Sequence, residues 1–228
     1  MSYTLVILAI APALAICGYI IHKDRFDKEP IWLMLLAFFF GVFSIFPAGV
    51  TTLIGESILG TNASIINTLI HAFLLVALSE EFAKFFFLRY ILFRRKEFDE
   101  PLDGIVYSVM IGMGFAAFEN IFYVAEGGIG IALMRMLTAI PAHAIFAIVM
   151  GYYIGQAKFD ITHKDDLIRK ALVYPTLLHG AYDFFLFQKN IPALSLLSII
   201  GVWIAGKKVF YILKNASEQA AENKDKRI

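Results

Sequence analysis

The stretch ALSEEFAKFFFLRY, residues 77–90, sets two adjacent glutamates, Glu80 and Glu81, and a lysine, Lys84, inside an otherwise apolar run. A charged group at the centre of a bilayer costs about 2.5–3.5 kcal/mol on insertion scales, so it must face protein or water and find a partner. Lys84 stands one helical turn from Glu80, which puts the two on one face. Other apolar runs carry ionisable groups too. GFAAFENIFYVAE holds Glu119, with Tyr123 one turn on. TAIPAHAIFAIVMGYY holds His143, and YPTLLHGAYDFF holds His179 with Asp183 at i+4. At about 1.5 Å of rise per residue, these groups fall within a slab roughly 10 Å thick.

Glutamate and histidine in a shielded site suit hydrolysis. A carboxylate can take a proton from water as general base, and a histidine opposite can stabilise the oxyanion or protonate the leaving amine. The same residue types can hold a zinc ion whose bound water is the nucleophile, with His143 and His179 as its candidate ligands. There is no H-E-x-x-H motif, and both routes stay open at this point. Lys84 and Tyr123 read as supporting groups that hold the glutamates and lower the cost of their charge. His71, alone in the outer half of its helix, and Glu56, in a loop, read as structural. Pro141 and Pro175 stand just before the two histidines, where a freed carbonyl is tolerated if it lines a cavity. Gly112 to Ala117 offer small residues for close helix approach.

The elements that position these groups are long. Of 228 residues, 59% are hydrophobic and 17% charged, against about 25% charged in soluble domains. Apolar segments run at about 2–21, 31–54, 64–93, 103–125, 131–157, 167–188 and 191–213. Runs near 20 residues match a hydrocarbon core of roughly 30 Å, and within lipid they must be helices. The expected fold is all-α: a polytopic integral membrane bundle of about seven transmembrane helices. Lysine and arginine alternate between loops. Lys23, Arg25 and Lys28, then Arg94, Arg95 and Lys96, then Lys158 and Lys164, then the C-terminal bases lie on one side. Only Arg135 and Lys189 lie on the other. The positive-inside rule therefore predicts the N-terminus outside and the C-terminus cytoplasmic.

The single cysteine, Cys17, excludes an internal disulfide and a cysteine-based zinc site. No serine stands in a nucleophile motif. No glycine-rich phosphate loop and no basic–aromatic surface for nucleic acid is present.

Taken in order, EEFAK, FENIFY, PAHAIFA and HGAYD, with DKEP at 27–30 and PLDGIVY at 101–107, resemble the PrsW family of bacterial intramembrane proteases. The resemblance covers residues 20 to 185. The family is distantly akin to the CAAX prenyl endopeptidases, but Lys84 replaces the expected arginine one position early and Tyr123 lies where a histidine would be expected. The resemblance implies the first, site-1 cut in a membrane-bound anti-sigma factor. Its partners would be the lipid bilayer and a single-span substrate protein, in the bacterial cytoplasmic membrane. It implies Glu80, Glu81 and His179 as catalytic, with His143 and Glu119 lining the site, beside the His179–Asp183 pair read above. Family members are classed as metalloproteases, so one zinc ion is the candidate cofactor. Residues 1–215 would form the protease domain and 216–228 a polar cytoplasmic tail. The competing expectation is a proton- or ion-coupled transporter, which also uses midplane carboxylates, histidines and broken helices.

Overall fold

The structure is a computed structural model that describes residues 2–59, 64–188 and 192–227. Lys189, one of the two bases expected on the outer side, lies outside the described residues, as does residue 191, where the last apolar segment was expected to begin. No strand occurs among the described residues. The helices are α1 (Tyr3–Lys23), α2 (Ile31–Leu59), α3 (Ile65–Ile70), α4 (Leu78–Tyr90), α5 (Pro101–Leu137), α6 (Ala139–Phe159), α7 (Lys164–Leu186) and α8 (Ser195–Arg227). A π-helical segment, His71–Ala77, joins α3 to α4.

Local chemistry sets several ends. The Ser2 and Ser64 hydroxyls accept from the backbone N–H of Leu5 and Asn67, capping α1 and α3. At α5, Pro101 takes the first turn and Glu100 and Asp103 form a reciprocal capping box. Pro141 lies in the first turn of α6, not within its body, where its missing N–H costs no intrahelical bond. The expected break before His143 is therefore a helix start. Pro175 does lie inside α7.

Helix α5 is the centre of the bundle. Its residues from Leu102 to Ala117 are buried without a gap, between α1, α2 and α6. Small residues permit this. A β-carbon on Gly104 would run into the backbone of Gly151 and Gly155 on α6, and one on Gly114 into the Phe38 carbonyl of α2. The backbones touch there, so side-chain rearrangement cannot make room.

Five helical stretches are long and apolar enough to cross a membrane: Tyr3–Lys23, Ile31–Leu59, Ile65–Arg94, Pro101–Phe159 and Ser195–Glu222. The fourth is two antiparallel arms. Gly128 breaks α5 with φ 65° and ψ −156°, a conformation open to glycine and costly for other residues. Beyond it the chain turns back, so that Arg135 meets Glu119. The expected boundary at 125–131 thus falls on Gly128, but the piece from 129 to 137 is a separate helical segment, and α6 begins only at Ala139 after the kink at Thr138. Helix α7 has the length, at 23 residues, but Asp165, Asp166, Arg169 and Lys170 in its first turns keep it out of the apolar set. Outward-facing Phe39, Phe43, Phe46 and Val50 on α2 recur at helical spacing, as a lipid-facing stripe requires. The C-terminal segment continues α8, where the Ser217 hydroxyl bonds the Lys23 carbonyl and Ala220 is buried.

Candidate active site

Glu80 and Glu81 sit in the first turn of α4, directly after the π-helical segment. One wide turn of this kind re-aims every side chain that follows, and such turns recur at functional sites. Both glutamates and Lys84 are buried. Lys84 Nζ lies 2.8 Å from Glu81 Oε1 and 3.6 Å from Glu80 Oε2. The expected i,i+4 pairing with Glu80 is present, and Glu81 at i+3 is the closer partner. Lys84 also sits 4.0 Å above the ring of Phe115, a cation–π contact in a dry setting.

His179 completes this end. Its Nδ1 is 2.9 Å from Glu81 Oε1, and its Nε2 is 3.2 Å from Asp183 Oδ2 and 3.9 Å from Glu80 Oε2. Phe146 stacks on the imidazole at 4.8 Å and 19°, fixing its plane. His143 stands edge-on to His179, with ring centroids 5.2 Å apart. Its Nε2 meets Glu119 Oε2 at 3.1 Å, and its Nδ1 lies 3.4 Å from Lys84 Nζ. The ammonium has no acceptor lone pair. Nδ1 must then accept from Lys84, which leaves Nε2–H to donate to Glu119.

All six candidate residues, Glu80, Glu81, Glu119, His143, His179 and Asp183, thus belong to one connected cluster at one level of the bundle. Tyr123 reaches the cluster through Arg135. Its ring lies 3.9 Å from the Arg135 guanidinium, and Arg135 in turn donates to Glu119 Oε2 at 2.8 Å and to Asn120 Oδ1 at 2.7 Å. Tyr123 supports Glu119 through Arg135 and has no contact of its own with the α4 glutamates. Arg135 was read from sequence only as a loop base. Its position within the apolar run ALMRML was the available signal. His71 and Glu56 pair with each other at 2.7 Å, away from the cluster.

The charges do not balance within the protein. Four carboxylates, from Glu80, Glu81, Glu119 and Asp183, meet two permanent cations, Lys84 and Arg135. Protons on the histidines or acids, or a bound cation, must supply the rest.

A model of the PrsW family of intramembrane metalloproteases matches residues 29–211. The chain belongs to the PrsW family. It is 36% identical over 188 residues to Protease PrsW of Geobacillus kaustophilus, covering 82% of each chain. It is 36% identical over 217 residues to Protease PrsW of Oceanobacillus iheyensis, covering 94% of this chain and 96% of that one. To Protease PrsW of Bacillus subtilis it is 34% identical over 186 residues, 81% of this chain and 83% of the other. No solved structure matches the chain. As a PrsW-family member it is an intramembrane protease, which decides against the transporter expectation. It is a multi-pass membrane protein, and its bacterial relatives imply a bacterial membrane.

The family's metal can be tested against the PrsW-type cluster seen here. Glu80, His143 and His179 each offer a ligand atom, all within 4.8 Å of one another. Glu80 Oε2 and Glu81 Oε2 are buried with no hydrogen-bond partner among the described residues. Two imidazoles and a carboxylate are a donor set that catalytic zinc uses. His179 has Nδ1 held by Glu81, as metal-bound histidines require, and turns Nε2 toward Glu80; His143 has Nε2 held by Glu119, and its Nδ1 would reach a metal by giving up the Lys84 ammonium. The residues fit a zinc ion.

Proposed function

We propose that this protease makes the first, site-1 cut in a membrane-bound anti-sigma factor, a single-span protein, with the cluster around His179 as its catalytic centre. The observation that carries the reading is the shared Glu81 oxygen, bonded at once to Lys84 and His179 in a buried site.

In this mechanism Glu80, the more accessible of the two glutamates, takes a proton from the attacking water as its oxygen bonds to the scissile carbonyl carbon. Glu81 does not move. It is pinned by Lys84 and holds His179 by Nδ1, so that Nε2 faces Glu80 and Asp183. His143, held at Nε2 by Glu119 and at Nδ1 by Lys84, lines the site and fixes the Lys84 ammonium, whose positive charge favours the developing oxyanion. His179 passes a proton to the leaving amine as the C–N bond breaks, and Asp183 stabilises its charged form. Zinc, when bound, would be held by Glu80, His143 and His179 and would supply a Lewis acid and an acidified water.

We place seven spans in the membrane, counting the α5–α6 hairpin among the five apolar stretches as two and adding α7. The N-terminus lies outside and the C-terminus in the cytoplasm, in line with the loop bases. Residues 1–215 act as the protease domain and 216–228 as its cytoplasmic tail.

The test is reconstitution in liposomes with a single-span anti-sigma factor, followed by mass measurement of the fragments. One cut on the outer side of the substrate's span, made before any second protease acts, supports the reading. Cleavage confined to the cytoplasmic side, or of other membrane proteins only, contradicts it.

A further inference from the structure

About sixteen residues before Glu119, at the other end of the same helix and roughly 24 Å away along it, a second group of acids is buried. Asp24 follows α1, Glu29 lies in the loop before α2, and Glu100 and Asp103 open α5. They are 1%, 6%, 3% and 0% exposed. These residues include parts of DKEP and PLDG, motifs that the catalytic cluster does not use. No lysine or arginine forms an ion pair with Asp24, Glu29 or Asp103 among the described residues.

Each aspartate is anchored by one oxygen. Asp24 Oδ2 accepts the Glu29 N–H at 2.9 Å, and Asp103 Oδ2 accepts those of Asp99 and Glu100 at 2.8 Å each. Asp24 Oδ1 is fully buried with no hydrogen-bond partner among the described residues, and Asp103 faces Glu29 closely enough for their carboxyls to share a hydrogen bond. Asp24, Glu100 and Asp103 each offer a ligand oxygen, and these lie within 4.8 Å of one another. Glu29 is held beside them by the Tyr107 hydroxyl, which donates to its Oε2.

We propose that this acidic cluster binds a hard divalent cation, of the magnesium or calcium kind, which clasps the end of α1 to the start of α5. An all-oxygen, carboxylate-rich donor set selects such ions over zinc or copper. A cation also removes the cost of several buried acids facing one another.

The experiment uses the full chain in detergent, freed of metal by chelator, with magnesium or calcium chloride added. Thermal unfolding and titration calorimetry are read for wild type, Glu80→Gln, Asp24→Asn and Asp103→Asn. The Glu80→Gln variant separates this site from the catalytic cluster. Expected is a cation-dependent rise in melting temperature of several degrees in wild type and Glu80→Gln, with one ion per chain, and its loss in both aspartate variants. If one asparagine variant does not fold, the other carries the comparison. No response of wild type to either cation at millimolar concentration overturns the proposal, as does an undiminished response in Asp24→Asn or Asp103→Asn.

Discussion

Glu81 Oε1 lies 2.9 Å from Nδ1 of His179, joining α4 to α7 across 98 positions of sequence. The same oxygen takes Lys84 at 2.8 Å, so one carboxylate atom orders an imidazole and a lysine together. All three side chains are buried.

Removing Lys84 should therefore cost more than a surface pair would. Breaking a buried ion pair from one side typically destabilises by about 3–5 kcal/mol, since the remaining charge is left alone. Lys84→Met is expected to lower stability by that order in denaturant unfolding, and to lower cleavage as well. Adding Glu81→Gln to Lys84→Met should recover part of the stability and none of the activity.

Arg135 should act on catalysis through Glu119. The pair is partly buried and has one direct bond of 2.8 Å. Arg135→Gln and Glu119→Gln are expected to be non-additive in cleavage rate, with a coupling of about 0.5–3 kcal/mol in a double-mutant cycle. Additive losses would mean that Arg135 does not orient Glu119.

The α5–α6 contact has no spare room. A β-carbon at Gly151 would strike the Gly104 carbonyl and the Ile105 backbone. Gly151→Ala should destabilise by about 1–3 kcal/mol, as overpacking does. Gly201, where a β-carbon meets nothing within 4 Å, is the matched control and should tolerate alanine in the same unfolding assay.

Zinc content gives an independent readout of the cluster. The purified protein should retain one zinc per chain, measured by metal analysis, and His143→Ala and Glu80→Gln should lower it well below one. Equal zinc in these variants and in wild type would place the metal elsewhere.

Much of this was legible in the sequence for a physical reason. Glu80, Glu81, His143 and His179 stand out because lipid penalises charge, so an acid or imidazole retained in an apolar run needs a partner. Helical periodicity then set Asp183 beside His179 correctly. It also set Lys84 on the face of Glu80, but not the closer approach to Glu81, because i+3 and i+4 neighbours are both within reach and only side-chain packing decides between them. The π-helical segment before Glu80 has no simple sequence signature. Arg135 was discounted because a loop was placed next to it, when the chain instead reverses at Gly128 and brings it back. The buried acids near Asp24 were hidden by ordinary loop composition. Their shared environment arises only when α1, the following loop and α5 meet.

The central claim is that Glu80, Glu81 and His179 form one catalytic unit. Its most direct test is the cleavage rate of a single-span substrate in proteoliposomes, with Glu80→Gln, Glu81→Gln and His179→Ala each checked for unchanged membrane insertion. The account predicts that each change lowers the rate by about a hundredfold to ten-thousandfold, the range lost with a general acid or base. Any one of the three well-inserted variants cleaving at the wild-type rate would contradict it.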